Sequence, residues 1–184
     1  MIGPQRIIPP PPPGWTSWEA AMTQALEEAE RAASRGEVPV GALLLSGHGQ
    51  VLARCGNEVE ERRDPTAHAE ILALRRAAEK AGNQRLEGAF LIVTLEPCAM
   101  CAAAAVHARI AGLVYGADDE RAGAVQSRLD LLDHSFHNHK VWHMGGILAE
   151  DCATLLRNFF DRRRWVEANS PIAKINATHY IKNV

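Results

Sequence analysis

The stretch VTLEPCAMCAAAAVHARI, Val93 to Ile110, confines this chain more than any other. A β-branched apolar run stops at one proline and an alanine-rich run begins at once, which predicts a strand turning straight into a helix over Cys98 to Arg109. Cys98 and Cys101 then stand at i and i+3 on the first helical turn. There both side chains point the same way, and the positive end of the macrodipole favours thiolates. Two soft ligands on one face can hold one metal ion.

A second helix start carries the complementary chemistry. PTAHAEILALRRAAEK, Pro65 to Lys80, opens with helix-start residues, Thr66 being a possible cap, and Ile71, Leu72, Leu74, Ala77 and Ala78 supply a buried stripe. His68 and Glu70 sit two residues apart, about 200° around a helix, so they share no face in its middle. Over a helix end both can reach one object. His68 would add a nitrogen to the two sulfurs, a donor set that suits zinc. Structural zinc takes four protein ligands, whereas catalytic zinc keeps a position open for water. Three ligands and an uncommitted carboxylate, Glu70, therefore read as a catalytic arrangement in which Glu70 moves protons. Cys55 and Cys152 read as small buried hydrophobes, with a fourth-ligand role as the alternative.

Around these two motifs the chain alternates. Thr16 to Glu19 has capping-box spacing, and Trp18, Met22, Ala25, Leu26, Ala29 and Ala33 recur at helical intervals until Gly36. Val40 to Leu45 and Gln50 to Cys55 read as a hairpin across Gly47-His48-Gly49. Phe90 to Leu95, Leu113 to Gly116 and His139 to Met144 read as further strands, and Ala149 to about Trp165 as a last helix. The expected fold is α/β: a three-layer α/β/α sandwich with a mixed five-stranded sheet and helices on both faces. Residues 1–14 form a proline-rich arm, expected to be extended or disordered, residues 15–165 one domain, and residues 166–184 a tail.

Bulk properties narrow the function. At 184 residues with 23% charged and 47% hydrophobic residues the chain suits one globular domain, and a net charge of -2 leaves room only for a local polyanion-binding patch. Such a patch is offered by Phe159-Phe160 followed by Arg162-Arg163-Arg164, in a segment from Asp151 with six basic residues against three acidic. Four cysteines with one close pair do not make a disulfide framework, which points to a reducing, cytoplasmic compartment. No run approaches the 18 or so apolar residues of a membrane span. His134, His137, His139 and His143 fit a polar loop and strand entry better than a second metal centre.

The segments EVPVGALL, GNEVEERRDPTAHAEILALR, LIVTLEPCAMCAAAA, HARIAGLVYGADDERAGA, NHKVWHMGGILAEDCATLL and NFFDRRR resemble the cytidine deaminase-like superfamily and, more closely, its bacterial tRNA-specific adenosine deaminases. The resemblance runs from about Trp18 to Arg164. It implies one Zn2+ per subunit on His68, Cys98 and Cys101, with Glu70 as the proton carrier. It further implies substrate contacts from Asn57, Val40 and Ala69, RNA contacts from Phe159, Arg162, Arg163 and Arg164, a homodimer, and conversion of adenosine to inosine at the wobble position of a tRNA anticodon. Two other readings stay open: a zinc deaminase of a free base or nucleoside such as guanine or cytidine, and a structural zinc module. The chain departs from the family at Ala103 and over Ala124-Val125-Gln126-Ser127, a loop expected beside the RNA groove.

Overall fold

The computed structural model describes residues 8–169. The strands are β1 (Gly41–Leu45), β2 (Val51–Gly56), β3 (Phe90–Leu95), β4 (Gly112–Ala117) and β5 (Trp142–Met144); the helices are α1 (Trp18–Ser34), α2 (Val59–Arg62), α3 (Ala69–Ala81), α4 (Ala99–His107) and α5 (Ala149–Asn169). They form one mixed sheet in the order β2-β1-β3-β4-β5. β1 runs antiparallel to β2 and β3, while β3, β4 and β5 are parallel. The expected α/β/α sandwich is therefore the observed architecture.

Alternation along the strands explains the three layers. Ala42 and Leu44 of β1, with Leu91 and Val93 of β3, pack into a core shared with α3 and α4. Their neighbours Leu43, Leu45 and Ile92 face a second core shared with α1 and α5. Every residue of β1 is buried, as a central strand covered on both faces must be. Gly41 is required by the close approach of α1: a Cβ there would lie 2.0 Å from the Ala25 carbonyl oxygen.

Several boundaries move for local reasons. The helix expected from Pro65 begins at Ala69, because Asp64 Oδ1 accepts from Thr66 N–H (2.8 Å) and Thr66 Oγ–H (2.7 Å) and holds that stretch as a turn. His68 becomes the N-cap residue, and Cys98 likewise precedes α4. α4 ends before Arg109, whose φ of 59° lies in the left-handed region. Ser17, not Thr16, caps α1, accepting from Ala20 N–H at 3.2 Å. The last strand is only three residues long, and α5 continues to Asn169.

The proline leader is tied to the body from Pro9 onward. Pro9 O accepts from Trp18 Nε1 (3.0 Å), and Trp15 Nε1 donates to Gly49 O in the β1–β2 turn (2.9 Å). Residues 1–7 of the expected arm and residues 170–184 of the expected tail lie outside the described residues. Among the described residues, no helix is long and apolar enough to cross a membrane.

Candidate active site

β3 and α3 bring the two motifs together. α3 crosses behind β1 and β2, and α4 follows the end of β3, so the N-termini of α3 and α4 open at the same end of the sheet. His68 Nδ1 lies 3.8 Å from Cys98 Sγ and 3.6 Å from Cys101 Sγ, with all three atoms within 4.8 Å of one another. Zinc bound tetrahedrally to one imidazole nitrogen and one thiolate would hold them about 3.6 Å apart. The donor set therefore fits zinc in kind and in spacing. Among the described residues it is the one cluster of three or more His, Cys, Asp or Glu side chains close enough to share an ion.

Cys55 and Cys152 supply no fourth ligand. They belong to the cores on opposite faces of the sheet, and burial pushes each thiol up to about 11. The four later histidines do not converge either: His139 Nε2 lies 2.8 Å from Ile110 O, and His143 lies beside Asp133.

Electrostatics favour a thiolate at Cys98. A hydrogen bond from Cys101, with the His68 ring also beside it, brings Cys98 down to about 4 against the opposing effect of burial. The same contact with Cys98, then burial and the nearby Glu70 carboxylate, push Cys101 up. Glu70 is buried at 3% exposure, and that burial raises its carboxyl above the ordinary glutamate range. Its Oε2 has no hydrogen-bond partner among the described residues. A buried carboxylate oxygen left open beside three metal-type donors is the arrangement a water and an ion would complete.

The three residues expected to meet substrate are joined by hydrogen bonds through Asn57. Asn57 N–H donates to Val40 O (3.0 Å), and Asn57 Oδ1 accepts from Ala69 N–H (2.9 Å). The second bond fixes the amide, because its oxygen is committed to the first turn of α3 and its NH2 remains to donate. Asn57, Val40, His68, Glu70 and Cys98 line one cavity of about 270 Å³, near the lower end for small-molecule pockets. It has room for a base and none for a duplex.

Phe159 and the three arginines lie elsewhere. They are on α5, where Arg162 and Arg163 edge a groove with Phe159 and Leu155 against Ala33 and Ser34 of α1. The Arg163 guanidinium stands 5.7 Å over the Phe159 ring, and Arg164 pairs with Asp161. None of them lines the metal-site cavity.

Among the cavity residues that escaped the sequence analysis, two are buried acids, Glu37 and Glu96. Glu37, 1% exposed, accepts from Glu60 N–H (3.2 Å) and Glu61 N–H (2.8 Å) and so fixes α2, which was not expected. Glu96, 2% exposed, accepts from four backbone amides and the Ser127 hydroxyl. Burial alone would raise its carboxyl, but these donors outweigh it and hold it below the usual range. The available signal was an acidic residue lodged in an apolar run, as in Gly36-Glu37-Val38 and Leu95-Glu96-Pro97.

A fold of this topology around a His, Cys, Cys site defines a zinc deaminase, and the family profile of the MafB19-like deaminases matches residues 16–164. The chain is 45% identical to the tRNA-specific adenosine deaminase of Haemophilus influenzae over 146 residues, 79% of this chain and 84% of that one. It is 47% identical to the tRNA-specific adenosine deaminase of Agrobacterium fabrum over 143 residues, 78% of this chain and 93% of that one. A solved structure from work on A-to-I editing by tRNA:A34 deaminases at the wobble position superposes with a TM-score of 0.71 and 47% identity, covering 73% of this chain and 97% of that one. The chain belongs to the tRNA-specific adenosine deaminases.

Proposed function

We infer that this protein is a zinc-dependent hydrolase that converts adenosine to inosine at the wobble position of tRNA, releasing ammonia. The observation that carries the chemistry is the unpartnered Glu70 Oε2 beside the His68, Cys98 and Cys101 donors, inside a cavity of base size. The adenosine and the tRNA rest on the family.

Zinc held by His68, Cys98 and Cys101 would supply a water acidic enough to attack near neutral pH. Glu70 takes one proton from the attacking water and delivers it to the adenine ring nitrogen, then carries the second, from the hydroxyl so formed, to the departing amine, so that water and adenosine become inosine and ammonia. The raised carboxyl of Glu70 suits a group that both accepts and donates. Asn57, with its oxygen fixed on Ala69, presents its NH2 to an acceptor on the base edge. Val40 forms an apolar wall, while Ala69, fully buried and outside the cavity lining, acts through its N–H to Asn57. An anticodon loop is single-stranded already, so turning its base into the cavity is cheap.

Phe159 and Arg162 to Arg164 would grip the phosphates of the stem from α5, a positioning role without direct sequence information. A homodimer follows from the family reading, and four free thiols agree with a cytoplasmic setting. The deciding experiment incubates purified protein with an unmodified tRNA carrying wobble adenosine, beside free adenosine, cytidine and guanine, and detects inosine by nucleoside mass spectrometry. Inosine from the tRNA alone, lost in Glu70→Ala, is expected. Turnover of a free base with the tRNA untouched would overturn the substrate assignment while leaving the zinc chemistry in place.

A further inference from the structure

We propose that Glu96 is a positioning residue for catalysis: it builds the substrate-side wall of the cavity by gathering the loop of residues 119–127 onto the strand end that carries Cys98. The inference rests on the function proposed above and deepens it.

Both carboxylate oxygens are spoken for. Oε1 accepts from Val125 N–H (3.0 Å), Gln126 N–H (2.7 Å) and Ser127 N–H (2.9 Å). Oε2 accepts from Asp119 N–H (3.1 Å) and from the Ser127 hydroxyl. With five donors on one buried group, Glu96 has no capacity left for proton traffic, and its work is mechanical. Three successive amides converging on one oxygen require an acceptor with full negative charge at that point.

The hold propagates. Asp119, fixed by Glu96, accepts in turn from Arg121 N–H (2.9 Å) and Ala122 N–H (3.1 Å) through Oδ1, and its carbonyl accepts from Gly123 N–H (2.9 Å). Asp119 and Ala122 both line the cavity opposite Val40 and Asn57. A second stitch joins the same loop to the metal-ligand segment: Gly123 bridges Cys98, and Ala124 N–H donates to Pro97 O (2.9 Å). Gly123 is obligatory here, since a Cβ would lie 2.3 Å from Glu96 Oε2. The loop is thus shaped through its backbone.

Glutamine at this position keeps one oxygen for three amides but turns an NH2 toward Asp119 N–H, donor against donor. The wall loosens at Asp119 and Ala122, while His68, Cys101 and Glu70 stand on helices anchored elsewhere. Steady-state kinetics on a tRNA anticodon stem-loop with wobble adenosine, with zinc per chain measured on the same samples, test this. For Glu96→Gln the expected result is a KM raised about tenfold or more, kcat within about threefold of the parent, and one zinc per chain. Gly123→Ala, whose methyl displaces the carboxylate, gives the same split, and Ser127→Ala a smaller rise in KM. If Glu96→Gln does not fold, these two variants decide. An unmoved KM, or a fall in kcat with zinc loss at constant KM, overturns the positioning role. A parent protein inactive on the stem-loop overturns the functional reading and this inference with it.

Discussion

Replacing Glu70 by glutamine should remove activity and raise stability together. The substitution preserves shape, so what changes is charge and the ability to carry a proton. General acid–base catalysis contributes about 10² to 10⁴ in rate, or roughly 3–5 kcal/mol of barrier, and kcat should fall by that factor. Stability moves the other way because Glu70 is 3% exposed, its Oε2 is unpartnered among the described residues, and burial opposes its charge. Removing the charge from a buried group with an open acceptor is worth about 1–3 kcal/mol, and for a chain of this size each kcal/mol moves Tm by about 2–4 °C. Glu70→Gln should therefore melt about 2–12 °C above the parent. The comparison belongs on zinc-free protein, since a bound dication would favour the carboxylate. Stem-loop deamination and thermal unfolding monitored by circular dichroism supply the two numbers. Retention of more than about a tenth of the parental kcat would refute Glu70 as the proton carrier. A lower Tm would refute the claim that burial outweighs the groups that favour its charge.

Three more outcomes follow from other parts of the molecule. Cys101→Ala leaves two donors where zinc needs three, so metal per chain measured by plasma mass spectrometry should drop well below the parental value of one. Arg162, Arg163 and Arg164 changed together to alanine should weaken stem-loop binding and flatten the plot of log affinity against log salt by about 0.7–0.9 per lost phosphate contact, while zinc content stays constant. Gly41→Ala forces a Cβ to within 2.0 Å of Ala25 O, and urea unfolding should show a loss of about 1–3 kcal/mol or more.

The chemistry of the site was more legible than its frame. His68, Cys98 and Cys101 could be read because metal ligation depends on residue type and short spacing, both written directly in the chain. The central strands were equally plain, since β1 is buried on both faces and its apolar run is continuous. α2 was not legible: four residues have no periodicity, and what holds them is Glu37, more than twenty positions away. Likewise the start of α3 depended on a side chain outside the helix, Asp64, competing for Thr66. Glu96 stood next to the motif that was read, yet its role comes from amides 23 to 31 residues downstream, which no local pattern encodes.

His68 and Cys98 both occupy N-cap positions, and neither side chain makes a capping hydrogen bond. Most helices use that side chain to satisfy an amide of the first turn; these two spend it on the metal position. The first turns of α3 and α4 thus receive no cap from their own N-cap side chains, and an ion gripping both would close a chain segment of 30 residues. Hydrogen exchange at the amides of Glu70, Ile71, Met100 and Cys101 would then slow on zinc loading more than at the middle of either helix. Occupancy of the centre becomes visible in the backbone, before any substrate is added.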